Sequence, residues 1–499
     1  MTVLTTLLML APLAVPLLGA LTYRTAGWRP ATVWVSAVSA ALVLAAAIAL
    51  AVTVVGHGPR TALAGSVRAD ALSVFMLIVI GAVGLLATAA TPAWLRGEIT
   101  AGRATARTAA RHSVLVQCFL AAMALAVLAA NLGVVWVAIE ATTIVTAFLV
   151  GQRRTKAAVE AAWKYVVICS TGIALALLGV LLLNYAASHG PRPAGLDWVR
   201  LLAAAPHLDP GVTRVAVALL ILGFGTKAGL APLHAWLPDA HGEAPAPVSA
   251  LMSGVLLSVA FSVILRVKVI ADAALGVGFA RALLAVLAVA SLLLAASLLI
   301  RQRDYKRMLA YSSIEHMGLL ALGAAAGGPL ALAAVLLHVL GHGLAKGTLF
   351  LSAGHVLHAT RTSRIDQVRW LAARGPVLAG CLGFGVLALI GLPPFSIFAS
   401  EVGIVRAGFA TGIGWVTALA LVFVLVIAAA LIGHTSRMVL GTPDPVPDGP
   451  GAATAPVRLS ISGAVPLVAG LLACAVLGVA AGPLATLLHL AAHTLTGTP

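Results

Sequence analysis

Gly223-Phe224-Gly225-Thr226-Lys227-Ala228-Gly229-Leu230-Ala231-Pro232-Leu233 closes an apolar segment that starts at Val212, and its reading decides the fold. The segment has the length of a bilayer crossing, yet Lys227 sits inside it and Pro232 interrupts it five residues later. A charge at mid-membrane depth costs about 2.5–3.5 kcal/mol on insertion scales, so it is retained where it has work to do. The same expense recurs along the chain. Glu140 lies inside 134–150, Lys164 inside 157–183, His338, His342 and Lys346 inside 331–351, and Glu401 just beyond Gly391-Leu392-Pro393-Pro394. Ionisable residues on span after span imply a proton or ion path through the membrane.

Composition places the chain in the same class. Of 499 residues, 61% are hydrophobic and 9% charged, against about 25% charged in soluble domains. An all-α polytopic membrane protein is expected. Apolar runs of about 20 residues fall near 4–21, 32–55, 71–94, 113–130, 132–150, 157–184, 212–233, 247–271, 279–300, 307–326, 329–352, 376–408, 410–436 and 461–490, about fourteen spans. The first has no basic start and no small-residue cleavage site, so it is expected to stay as a span rather than to be removed as a signal peptide. Cys118, Cys169, Cys381 and Cys474 stand singly in apolar runs, which predicts no disulfide framework, no metal cluster and no cofactor held by this chain.

Lysine and arginine positions set the expected orientation. If both termini lie outside, nineteen of the 31 basic residues fall in cytoplasmic loops, nine fall opposite, and Lys164, Lys227 and Lys346 remain as buried charges. The count includes Arg192 and Arg458. The net charge of +16 is then explained by topology and lipid contact, with no need for nucleic acid. A multi-pass protein of the inner (plasma) membrane is the expected location.

Two spans carry proline where a helix should continue: Pro232 after Lys227, and Pro393-Pro394 before Glu401, roughly 160 residues apart. Paired breaks of this kind point to inverted repeats around a central site, although a proline kink can also serve packing alone. The spacing predicts two inverted five-helix repeats, spans 4–8 and 9–13, with helices 7 and 12 broken. The chain then divides into an N-terminal three-helix segment (1–112), a first repeat (113–272), a second repeat (273–436) and a C-terminal loop and helix (437–499).

The run from Gly225 through His241, with Ala244-Pro245-Ala246-Pro247-Val248-Ser249-Ala250, resembles the antiporter-like membrane subunits of respiratory complex I, of multi-subunit cation/proton antiporters and of membrane-bound [NiFe]-hydrogenases. Asp70-Ala71-Leu72-Ser73, Asn131 through Glu140 and Asp304 through Ser313 extend the resemblance. Trp136 through Thr143, Glu160 through Tyr165 and Ile314-Glu315-His316-Met317-Gly318 are most similar to the hydrogenase-4 F-type subunit. The end of the chain soon after span 14 is expected to leave it without the long lateral helix of the largest complex I subunit of this type.

The resemblance implies a proton-translocating, non-redox subunit of a redox-driven complex. Other membrane subunits would be its partners and, through them, a peripheral redox arm. Glu140 and Lys227 match the family's acid–lysine pair, Lys346 the lysine of helix 11 and Glu401 the ionisable residue of helix 12. His338, His342 and Lys346, spaced by four, share one helix face. Lys164 matches a family position but also reads as an i, i+4 ion pair with Glu160. Glu315, His316 and Asp70 are secondary candidates. Helix 8 departs from the family: Met252 and Ser258 stand where relatives often carry lysine or histidine, leaving Ser249, Ser253, Ser258 and Ser262. Ser258 is therefore the candidate for a water-bridged step. Asp239, His241 and Glu243 read as loop caps beside the proline break, and His355 and His358 as helix-end residues. A cation/proton antiporter subunit and a proton-silent scaffold are the alternatives.

Overall fold

A computed structural model describes residues 3–189, 193–442, 456–457 and 459–496; Arg192 and Arg458, counted in the charge asymmetry, lie outside them. The helices run α1 Val3–Ala26, α2 Val35–His57, α3 Ala71–Thr100, α4 Ala106–Leu128, α5 Leu132–Val150, α6 Lys156–His189, α7 Trp198–Ala204, α8 Pro210–Ala228, α9 Trp236–Glu243, α10 Ala246–Leu251, α11 Leu257–Leu275, α12 Val277–Leu299, α13 Tyr305–Ala326, α14 Gly328–Thr360, α15 Leu371–Arg374, α16 Pro376–Leu389, α17 Ser396–Ala410, α18 Gly414–Leu440, α19 Ile461–Val479 and α20 Gly482–Thr496. A three-residue antiparallel hairpin, β1 Arg60–Ala62 with β2 Val67–Ala69, joins α2 to α3. A π-helical turn, Met252–Leu256, links α10 to α11, so the two form one span.

Twelve helices among the described residues are long and apolar enough to cross a bilayer. The sequence suggests about fourteen spans, and the difference has two physical sources. Helix α13 is long enough but is made more polar by Lys306, Arg307, Glu315 and His316, while α16 and α17, separated at Gly391–Pro394, are each too short to cross. The expected single span over 461–490 is corrected: α19 ends at Val479, and Gly482-Pro483 opens a separate helix.

Short polar caps start the helices where the chain must leave a turn. Asp70 accepts from Ser73 N, Asn131 from Gly133 N, Asp209 from Val212 N and Asp304 from Arg307 N, each occupying a backbone donor that the helix leaves free.

The breaks follow the same accounting. Helix α8 stops at Gly229, whose φ of +78° suits glycine. Trp236 Nε1 then donates to Thr226 O at 2.9 Å, and Ala231 N donates to Ser291 Oγ at 3.0 Å. At the second break Leu392 N donates to Leu387 O at 3.1 Å before α17 resumes. Non-helical backbone at this depth survives because protein groups satisfy it.

The α10–α11 span is buried throughout its apolar stretch, whereas α1, α18 and α19 leave most of theirs only partly buried or exposed. Close approach needs small residues at the crossing. A Cβ on Gly254 would stand 3.1 Å from Gly343 Cα and 2.7 Å from Val83 Cγ1, so the π turn rests directly on α14 and α3.

Candidate proton path

Lys227, on the last turn of α8, is fully buried. Its Nζ donates to Tyr165 OH at 2.8 Å and lies 4.8 Å from that ring's centroid. Tyr165 packs edge-on against Trp236, with centroids 5.0 Å apart. Glu140, half-buried on α5, accepts from Thr143 Oγ1 at 2.9 Å and lies 3.5 Å from Ser170 Oγ. No ion pair joins Glu140 to Lys227 among the described residues; a tyrosine hydroxyl holds the lysine instead. Tyr165 is a functional candidate that charge-based reading missed, although it closes the Glu160–Tyr165 stretch.

Lys164 is not a buried charge, which corrects the sequence expectation of burial. Its side chain is 47% exposed and pairs with Glu160 at 2.7 Å and Asp239 at 3.0 Å. Asp239 also receives Arg307, so α6, α9 and α13 are tied at the surface. The reason is helical phase: Lys164 and Glu160 share the outward side of α6, whereas Tyr165 points in.

His241 does not cap a loop either. It is fully buried and stacks on Phe350 at 4.6 Å, and neither ring nitrogen has a protein partner. Lys306 serves the adjacent turn, donating to Gly242 O at 2.7 Å and Ala244 O at 2.9 Å. His358 pairs with Glu98 at 2.6 Å near the end of α14.

The middle of the protein is lined by serines and one lysine. Ser253 Oγ and Ser313 Oγ are 2.9 Å apart, and Ser258, also buried, has no protein partner for its hydroxyl. Lys346 on α14 donates to Leu309 O at 2.6 Å and to Ser312 Oγ.

Beyond Lys346 lies a histidine cluster that no single helix reveals. His316 on α13 faces both His338 and His342 on α14, with ring centroids 5.1 Å and 5.0 Å away. His316 Nδ1 and His338 Nε2 are 3.0 Å apart, and His338 Nδ1 is 2.9 Å from Ser400 Oγ on α17. Ser400 Oγ donates to Ile397 O at 2.7 Å. It must therefore accept from His338 Nδ1–H, which leaves the lone pair on His338 Nε2 and makes His316 Nδ1 the donor between the rings.

Glu401 follows Ser400, is half-buried and has an unpartnered Oε1; Glu315 is fully buried with an unpartnered Oε2. Donor atoms of His316, His338 and Glu401 lie within 4.8 Å of one another.

Asp70 stands apart from this chain of groups. It caps α3 and takes Arg266 Nη2 at 2.8 Å, fastening the end of α11 to α3. Burial pushes its carboxyl up, but the Arg266 guanidinium and the Ser73 donors outweigh that and hold it at about 2.

Residues 129–428 match the family described as NADH:quinone oxidoreductase/Mrp antiporter, TM, and the chain belongs to this family. A relative named hydrogenase-4 component F homolog, from Methylacidiphilum infernorum (isolate V4), is 38% identical over 343 residues, which are 68% of this chain and 72% of that protein. Among solved structures, a chain of the Mrp complex from Dietzia sp. DQ12-45-1b superposes with a TM-score of 0.85 at 22% identity, covering 99% of this chain and 98% of that one. A chain of respiratory complex I from Thermus thermophilus superposes with a TM-score of 0.78 at 25% identity, covering 99% of each chain. The protein is thus an antiporter-like membrane subunit.

Proposed function

We propose that this subunit carries protons across the membrane within a larger redox-driven complex of the hydrogenase-4 or NADH:quinone oxidoreductase type. The observation that carries the reading is the series of buried titratable and hydroxyl groups between the two helix breaks, ending at the half-buried Glu401: Tyr165 and Lys227 at the first, Ser253, Ser258, Ser312 and Lys346 between, His342, His316, His338, Ser400 and Glu401 at the second. Hydrogen bonds along this line are interrupted at Ser258, His342 and Glu401, whose unpartnered polar atoms are places where bound water can relay. Glu140 acts on Lys227 as a charge whose approach loads the lysine. Lys164 and Asp70 take supporting roles, in the α6–α9–α13 surface tie and the α3–α11 clamp.

The fourteen-span, two-repeat layout and the division at residues 112, 272 and 436 belong to this proposal, with α8/α9 and α16/α17 as the broken spans. So do a plasma-membrane location, both termini outside, and a peripheral redox arm reached through neighbouring membrane subunits. A subunit of a cation/proton antiporter, with sodium as the second ion, is the second reading, favoured by the family description, which includes the Mrp antiporter.

Lys227→Ala tests the proposal. Proton uptake into vesicles holding the complex should be lost while the complex still assembles, because a buried proton carrier is removed from beside Tyr165. Lys227→Met, which keeps the chain's bulk, should behave alike. Uptake at the wild-type rate in either variant refutes the path.

A further inference from the structure

We propose that His316, His338 and Glu401 form a binding site for a divalent transition-metal ion of the zinc class, and that the bound ion pins the second helix break to α13 and α14. Two imidazoles and a carboxylate with an open fourth position are a donor set suited to zinc. Among the described residues the three come from three different helices, and their donor atoms already lie within 4.8 Å of one another.

The histidine pair needs little rearrangement, and the Glu401 carboxylate closes the rest. Tetrahedral ligands about 2.0–2.1 Å from zinc stand roughly 3.3–3.4 Å apart. The His316 Nδ1 to His338 Nε2 gap of 3.0 Å needs to widen by only about 0.4 Å for an ion to replace the shared hydrogen. His338 is already oriented, since Ser400 accepts its Nδ1–H and leaves Nε2 as the ligating lone pair. His316 keeps its proton by carrying it on Nε2, a buried nitrogen with no protein partner.

Charge balances as well. One metal dication, the Glu401 carboxylate and the Glu315 carboxylate sum to neutrality, and Glu315, next to His316, has an oxygen that no protein group claims. His342 and His241, also unpartnered, come from other positions and lie outside the three-donor set.

The functional consequence rests on the proton-path reading: an ion here occupies the last two histidines and the terminal carboxylate together, so translocation stops. Binding does not rest on that reading.

The test uses the full-length chain in nanodiscs, titrated with Zn2+ and, for optical spectra, Co2+. One ion per chain should be retained, with X-ray absorption showing two imidazole nitrogens and a carboxylate oxygen. His316→Gln, His338→Gln and Glu401→Gln should each abolish retention, whereas His342→Gln should not. His338→Cys should retain the ion and add a metal–sulfur distance of about 2.3 Å, a gain that a misfolded variant cannot give. Failure to retain an ion, or retention unchanged in His338→Gln, overturns the site. In vesicles, proton uptake that runs normally and ignores Zn2+ overturns the site alone. Absent uptake in metal-free vesicles, with stoichiometric binding intact, overturns the proton path alone.

Discussion

Gly391→Ala probes how tightly the second break is built around Glu401. Gly391 has φ of +68°, which costs an alanine about 1–2 kcal/mol, and a Cβ there would overlap Glu401 Oε2 and stand 3.0 Å from the carboxyl carbon. Comfortable contact begins near 3.5 Å, and Oε2 lies closer to that Cβ than the carboxyl carbon does, so the carboxyl group must withdraw by roughly 1 Å or more. Displacements of that size cost up to about a hundredfold in steps that depend on donor–acceptor alignment. We expect an assembled complex, destabilised by about 1–2 kcal/mol, whose proton uptake falls toward that of Glu401→Gln. Adding Glu401→Asp, one methylene shorter, should relieve the overlap and recover part of the uptake, although Glu401→Asp alone lowers it. Proton uptake in vesicles, with assembly checked on native gels, reads both effects. Wild-type uptake in Gly391→Ala, or no recovery in the double variant, refutes the placement of Glu401 against the break.

Three further outcomes follow from the geometry. Ser258→Ala should slow translocation by about two- to tenfold without loss of assembly, because a relaying water loses one hydrogen-bond partner; an unchanged rate removes Ser258 from the path. Lys227→Ala should remove translocation altogether, as argued above, and with it any sensitivity to Zn2+. Asp70 titrates lower in the folded protein, about 2, than its ordinary value of 3.8, so its contribution is full above about pH 4 and is lost as pH falls toward 2. Integrated, that is about 2 kcal/mol; Asp70→Asn should abolish this acid-side loss in thermal-shift measurements, and an unchanged acid profile would show that the Arg266 clamp is not its source.

What was legible in the sequence was whatever one helix or one turn could encode. Lys227 before Gly229 and Pro232, and Gly391 before Pro393-Pro394 and Glu401, announced both breaks because glycine and proline act on their own backbone. The i, i+4, i+8 spacing likewise placed His338, His342 and Lys346 along one helix, and the structure buries all three. Span counting was weaker, since α13 trades apolar residues for Lys306, Glu315 and His316 and so reads ambiguously by hydropathy.

The rest was written between helices. Lys164 and Lys227 look alike in sequence, each a lysine in an apolar run, yet one pairs at the surface and the other sits on Tyr165. No periodicity assigns those faces, because α6 is apolar on nearly all sides and only its neighbours decide which residue is enclosed. The His316–His338–Ser400 relay joins α13, α14 and α17, so its members are 22 and 62 residues apart in sequence and meet only through packing. The α10–α11 span shows what that packing accomplishes. There Met252, Ser253 and Ser258 are buried, and Gly254 rests on Gly343. Gly254 on the π turn and Gly343 on α14 meet because neither carries a side chain, and that contact, which no single helix encodes, sets α14 against the α10–α11 span.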